Sequence, residues 1–171
     1  MALREIRIIG DPVLTRTAAP VDRVDEEIVR LARDMVETLH AAPGIGLAAP
    51  QVGVGQRLIV VDLSVGADKD ALHILVNPEI VEKEGEAVCE EGCLSVPDIR
   101  EKVVRPYRVV VRGLDLEGRT VEIEGEDLLA RAFCHEIDHL DGILFVEKLS
   151  ALKRTLIRKK LKKNAADAKK A

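Results

Sequence analysis

His135, Glu136 and His139 stand in the order His-Glu-Ile-Asp-His, a HExxH pattern. Residues four apart on an α-helix share a face, so both imidazoles can reach one cation while Glu136 projects toward the same point. That spacing suits metal-assisted hydrolysis, with nitrogens holding the ion and a carboxylate moving protons. Two of the four histidines of the chain fall here. The bland alternative is a pair of surface histidines and a glutamate on a polar helical face. The flanks argue against it. Phe133, Ile137 and Leu140, followed by Gly142-Ile143-Leu144-Phe145, point to a core helix, where an imidazole pair and a carboxylate are costly to desolvate without a partner.

Two ligands do not complete such a site, which uses three protein ligands and keeps a fourth position open. The extended metalloprotease pattern HExxHxxGxxH would place a histidine at position 145, where this chain has Phe145. His40, in a helical segment, and His73, at the start of a strand-like run, have no partner motif and are read as structural. A cysteine or a distant carboxylate remains. Cys93 is the best thiol, because Glu91-Gly92-Cys93-Leu94-Ser95 contains a glycine that lets the backbone approach another element closely. Without the HExxH helix it would read as a small buried hydrophobe.

Gly44-Ile45-Gly46-Leu47-Ala48-Ala49-Pro50-Gln51 formally satisfies the GxGxxA dinucleotide fingerprint. Its context is wrong for that role, since a helix precedes it and Pro50 breaks the helix that would have to come after it. Two readings stay open: a flexible turn, or a loop whose backbone N–H groups and Gln51 amide contact a substrate. Arg131, four residues before His135 on the same stripe, either lines a pocket with its alkyl stem or is a solvated helix-end charge. Cys134 should point about 100° aside from His135 and is read as packing.

These residues need elements to position them. Asp25 to Ala42 places Ile28, Leu31, Ala32, Met35 and Leu39 at helical spacing, with Pro43 and Gly44 as the stop. Apolar, β-branched runs at 58–63 and 73–78 read as buried strands. Further strands are expected over roughly 79–90, 102–112 and 119–124, with Glu117-Gly118 as a hairpin turn. Glu126 to Leu140 is helical again. Strands clustered between two helical segments argue for an α+β fold.

At 171 residues there is room for one ordinary domain, hence for one active site. Phe133, Phe145 and Tyr107 are the only aromatics, too few for the stacking platforms of a single-strand nucleic-acid binder. No stretch of eighteen uninterrupted apolar residues occurs, and the N-terminus does not read as a secretory signal, so a cytoplasmic protein off the membrane is expected. Cys89, Cys93 and Cys134 are then expected as reduced thiols without a disulfide partner. The net charge of −4 conceals an asymmetry: residues 150–171 carry nine Lys/Arg against one acid, Asp167. Leu152 and Leu156, with Ile157 and Leu161 near them, would form the apolar side of a basic helix there.

GIGLAAPQ, EGCLS and HEIDHLDG stand in the order and approximate separation of the three signature motifs of peptide deformylases, which this chain resembles from Gly10-Asp11-Pro12-Val13-Leu14 to about Leu149. The resemblance implies antiparallel strands packed around a central helix carrying HExxH, with an N-terminal helix and a C-terminal basic one. It implies a catalytic domain over 1–149 and a helical or disordered tail over 150–171. Cys93, His135 and His139 would ligate one divalent metal, with Fe(II) the usual ion in the cell and Zn(II), Ni(II) or Co(II) also accepted. Glu136 would handle protons, while Gln51 and the Leu94 backbone amide would stabilise an oxyanion. Ile45, Gly46 and Gly92 would run beside the substrate backbone, with Arg100 nearby. The implied substrates are N-formylmethionyl peptides, deformylated as new chains are made. The chain departs from many members at Cys134, where they have Gln.

Two rival functions fit less well. A zinc endopeptidase lacks support in the missing third histidine and in the presence of EGCLS. A metal-stabilised ribosome- or RNA-binding module, suggested by the basic tail, requires a closed four-ligand site. The tail itself is expected to be dispensable for chemistry and to contact the ribosome through phosphates, the alternative being a solvated end.

Overall fold

A computed structural model describes residues 2–170. Helix α1 (Glu26–Ala41) begins at Asp25, whose carboxylate accepts from the Ile28 N–H, and buries the predicted stripe of Ile28, Leu31, Ala32, Met35 and Leu39. Five strands form one antiparallel sheet in the order β1 (Gly46–Ala48), β2 (Leu58–Asp62), β3 (Leu72–Glu84), β6 (Arg108–Leu114) and β7 (Thr120–Glu126). Strands β4 (Ala87–Cys93) and β5 (Val96–Arg105) form a separate antiparallel pair. Helix α2 (Leu128–Leu140) lies between the two sheets and contacts both, which is the expected α+β architecture.

One apolar cluster joins Ile59, Val61, Leu75, Val109 and Val111 of the large sheet to Phe133, Ile137 and Leu140 of α2. Another fills the space between α1 and the sheet with Leu31, Met35, Leu39, Leu58 and Val60. The third lies under the small sheet, where Val96, Ile99 and Val103 meet Leu14, Leu144, Phe145 and Ile157. With few aromatics in the chain, the first of these clusters holds the apolar face of α2 against the large sheet.

The structure corrects several boundaries. The run 102–112 is not one strand: Pro106 has no N–H to donate, and Pro106-Tyr107 separates β5 of the small sheet from β6 of the large one. The run 79–90 divides likewise at Gly85, whose φ of +66° turns the chain from β3 into β4. The Gly-rich segment is not a flexible loop, because Gly46–Ala48 pairs with β2 and Ala49–Val52 closes a 3-10 turn. In helix α3 (Ala151–Lys170) Leu152 and Leu156 are exposed, and Ile157 with Leu161 packs on the third cluster instead. Ala171, the last residue of the expected tail, lies outside the described residues. Among the described residues no helix is long and apolar enough to cross a membrane.

Candidate metal centre and active site

The stripe of α2 that carries Arg131, His135 and His139 is buried, as is Glu136. Phe145, standing where an extended metalloprotease motif would have a ligand, stacks on the His135 ring at 6.0 Å. Opposite the stripe, β4 ends at Cys93. The β4–β5 register pairs Cys93 with Val96 but Gly92 with Arg100, so Pro97, Asp98 and Ile99 bulge out of the ladder. A bulge re-aims side chains. Here it turns Asp98, Ile99 and Arg100 toward the cavity beside α2.

Cys93 Sγ lies 3.4 Å from His139 Nε2, and His139 Nε2 lies 3.2 Å from His135 Nε2. All three donor atoms fall within 4.8 Å of one another. Tetrahedral bonds of ordinary length would separate two nitrogens by about 3.3 Å and a sulfur from a nitrogen by about 3.6 Å. The donor set therefore fits one cation of that class. Both edges that pass through His139 match without movement of the backbone.

Behind His135 stands Glu91, which in the sequence is only one letter of a motif. Its Oε1 is 2.8 Å from His135 Nδ1, and Arg105 donates to both of its oxygens at 2.9 and 3.0 Å. Arg131 Nη1 donates to Oε2 at 2.6 Å and to the Val103 carbonyl at 2.9 Å, while its Nη2 reaches the Ala87 carbonyl at 2.8 Å. Arg131 is thus neither a pocket stem alone nor a solvated charge. It is a buried brace between α2 and the small sheet. Arg105 also donates to Asp138 at 2.6 Å, which closes the network onto α2. Burial alone would raise the Glu91 pKa, but the His135 and Arg105 bonds hold it far below the usual carboxylate range.

Gln51 is fully enclosed. Its Oε1 accepts from the Ala48 N–H at 2.9 Å, which aims Nε2 at Ser95 Oγ, 3.1 Å away, and at Cys93 Sγ, 3.6 Å away. Ser95, fully buried, is a second residue that sequence reasoning missed; its place two residues after Cys93, between Leu94 and Val96, was the available signal. Glu136 Oε1 is buried without a hydrogen-bond partner among the described residues. Burial pushes the Glu136 pKa up to about 7. Burial and the neighbouring His135 hold His139 well below the usual histidine value, which keeps it in the neutral form that binds cations.

A cavity of about 580 Å³ opens on this group. Of the residues singled out in the sequence, Ile45, Gly46, Gln51, Gly92, Cys93, Leu94, Arg100, Arg131, His135 and Glu136 all line it; His139 sits beneath, behind His135 and Cys93. Gly46 passes so close to Glu136 that a Cβ there would collide with its carboxylate. Arg100 lies at the rim, paired with Glu90 at 2.9 Å and largely exposed. His40 and His73 stand apart: His40 bonds Asp62 at 2.8 Å and His73 lies 5.7 Å from the Phe133 ring. Cys134 packs in the core beside Ile137, its thiol pushed up to about 11 by burial.

Residues 3–155 match the sequence profile of the family described as Polypeptide deformylase. The peptide deformylase of Acidobacterium capsulatum is 52% identical over 163 residues, covering 95% of this chain and 96% of the relative. The peptide deformylase structure from Legionella pneumophila superposes with a TM-score of 0.92 at 46% identity, over 99% of both chains. That from Ehrlichia chaffeensis, solved in complex with actinonin, gives 0.88 at 38% identity over 96% of this chain and 98% of the other.

Proposed function

Because the chain belongs to the polypeptide deformylase family, whose members hydrolyse the N-formyl group from nascent peptides, we propose that it does so with one divalent metal held by Cys93, His135 and His139. The observation that carries this reading is the convergence of one thiol sulfur and two imidazole nitrogens within 4.8 Å, the two edges through His139 at tetrahedral lengths, with a carboxylate oxygen beside them that has no partner among the described residues. Fe(II) is the proposed cellular ion, and the same donors accept Zn(II), Ni(II) or Co(II).

When bound, the metal would supply Lewis-acid chemistry, polarising the formyl carbonyl and acidifying water. The remaining work falls to the chain. Glu136, buried and with a pKa near neutrality, takes a proton from the attacking water and delivers it to the amine nitrogen as the C–N bond breaks. Charge that develops on the carbonyl oxygen is met by the Gln51 amide, pre-aimed by Ala48, and by the Leu94 backbone N–H. Ile45 and Gly46 on one side and Gly92 on the other flank the peptide backbone, with Arg100 at the rim. The water oxygen leaves in formate, and the peptide leaves with a free amine.

Residues 1–149 form the proposed catalytic unit, since none of the proposed chemical groups lies beyond His139. In the basic segment α3 exposes Arg158, Lys159, Lys162 and Lys163 while Ile157 faces inward. That exposed basic face supports a second proposal, a salt-sensitive ribosome contact in the cytoplasm where new chains emerge. Co-sedimentation of full-length and 1–149 proteins with ribosomes tests it, and equal binding by both rejects it.

Anaerobic metal analysis followed by assay of formate release from formyl-Met peptides tests the main reading. About one equivalent of metal and metal-dependent turnover are expected. A metal-free protein with full activity rejects it. Actinonin, present in the Ehrlichia structure, serves as a binding probe.

A further inference from the structure

A second cavity, of about 190 Å³, opens between β5 and α3. Ile99 and Arg100 line both this cleft and the larger pocket, so the two meet across one stretch of β5. The far wall is α3, which contributes Lys153, Ile157 and Lys160. Ile157 is buried in the cluster that contains Ile99, giving the cleft an apolar floor. Lys153 Nζ lies 3.2 Å from Glu101 Oε2, and Lys160 Nζ donates to the Asp98 carbonyl at 3.3 Å. An ammonium carries three donors, so each lysine keeps donors to spare. Arg100 is paired with Glu90 on the pocket side, so within the cleft Lys153 and Lys160 face one carboxylate, Glu101.

On the deformylase reading, the larger pocket has room for the first few residues of a peptide. A nascent polypeptide is longer, and its downstream residues must cross the pocket rim. At about 3.3 Å per extended residue, a chain passing Arg100 enters the cleft within two or three residues. The balance of charge changes on the way: the pocket carries Glu90 and Asp98 at its edge, whereas α3 brings two lysines and no acid to the cleft beside its apolar residues. We propose that the cleft between β5 and α3 is a second peptide-binding site, which takes the substrate segment downstream of the pocket and prefers acidic side chains there. The inference rests on the deformylase reading and adds to it a substrate preference. It also gives α3 a role at the substrate as well as in the core.

The test uses metal-loaded full-length protein and formyl-Met-Ala-Ser extended by three Asp, three Ser or three Lys residues. At low ionic strength the acidic tail should give a KM about fivefold lower than the basic tail, the scale of two exposed ion pairs, with kcat unchanged. The difference should fade as salt is raised. Lys153→Gln with Lys160→Gln should bring the KM ratio of the two tails to about one. Equal KM for all three tails, or a ratio that survives the double substitution, overturns the proposal. Because the reading is a ratio on one protein, a uniform loss from disturbed helix docking does not imitate it. Formyl-Met-Ala-Ser itself separates the two levels: no turnover of it counts against the deformylase reading, whereas turnover with tail-independent KM counts against the cleft alone.

Discussion

Glu91 Oε1 lies 2.8 Å from His135 Nδ1, on the far side of the ring from the Nε2 that faces His139. The same carboxylate binds Arg105 and Arg131, so one residue fixes the ring that should hold metal and joins the small sheet to α2. Glu91→Ala leaves the buried Arg131 without its carboxylate and Arg105 with Asp138 alone, and should cost about 3–5 kcal/mol in denaturant unfolding. Glu91→Gln should weaken metal affinity by about 10- to 100-fold through loss of ring orientation, read by chelator competition. Unchanged affinity in Glu91→Gln would remove Glu91 from the site.

Gly46 and Gly142 should separate chemistry from stability. A Cβ at Gly46 would lie 2.9 Å from Glu136 Cδ, so Gly46→Ala should push the carboxylate aside and lower kcat while metal content holds. Gly142 has φ +76°, and a Cβ there would sit 2.6 Å from the Thr15 carbonyl. Gly142→Ala should therefore lower the unfolding free energy by about 1 kcal/mol or more without a matching loss of kcat. Kinetics and denaturant melts on both variants check the contrast.

Asp62 supplies the pH dependence. Burial would raise its pKa, but bonds from the Ser64 hydroxyl, His40 and the Ser64 and Gly66 N–H groups hold it below the usual value. A group depressed on folding stabilises above its unfolded pKa, about 3.9, and loses that contribution as pH falls through the lower folded value. Denaturant midpoints measured down the acid limb should fall less steeply in Asp62→Asn than in the parent protein. Parallel slopes would contradict the assignment.

An Fe(II)-loaded enzyme should lose activity in air, since a ferrous ion and the Cys93 thiolate are both oxidisable in a site open to the cavity. Zn(II)- or Ni(II)-loaded protein should outlast it under the same aeration. Indefinite aerobic stability of the Fe(II) form would mean that iron is not held there.

The HExxH helix was legible because its spacing is local, whereas Cys93 entered through its glycine neighbour and the family motif, and packing of β4 on α2 brings it to the two histidines. Helix α1 was legible too, since its apolar stripe and Asp25 cap act locally. Strand limits were less legible, because Gly85 and Pro106 redirect the chain between two sheets that a linear apolar pattern does not distinguish. Glu91 was passed over for a related reason: its partners Arg105, Arg131 and His135 are brought together only by packing of β4 and β5 on α2. The apolar side of α3 was misplaced because Leu152 and Leu156 fit helical periodicity equally well, and only the docking of Ile157 selects the buried face.

The division of labour between ligands and proton carrier is tested most directly by metal content and turnover measured together on Cys93→Ala, His139→Ala and Glu136→Ala. The first two should lose the metal and with it activity. Glu136→Ala should retain about one equivalent while formate release from formyl-Met peptides falls by about 100-fold or more. Equal metal loss in all three, or substantial turnover by Glu136→Ala, would contradict the assignment.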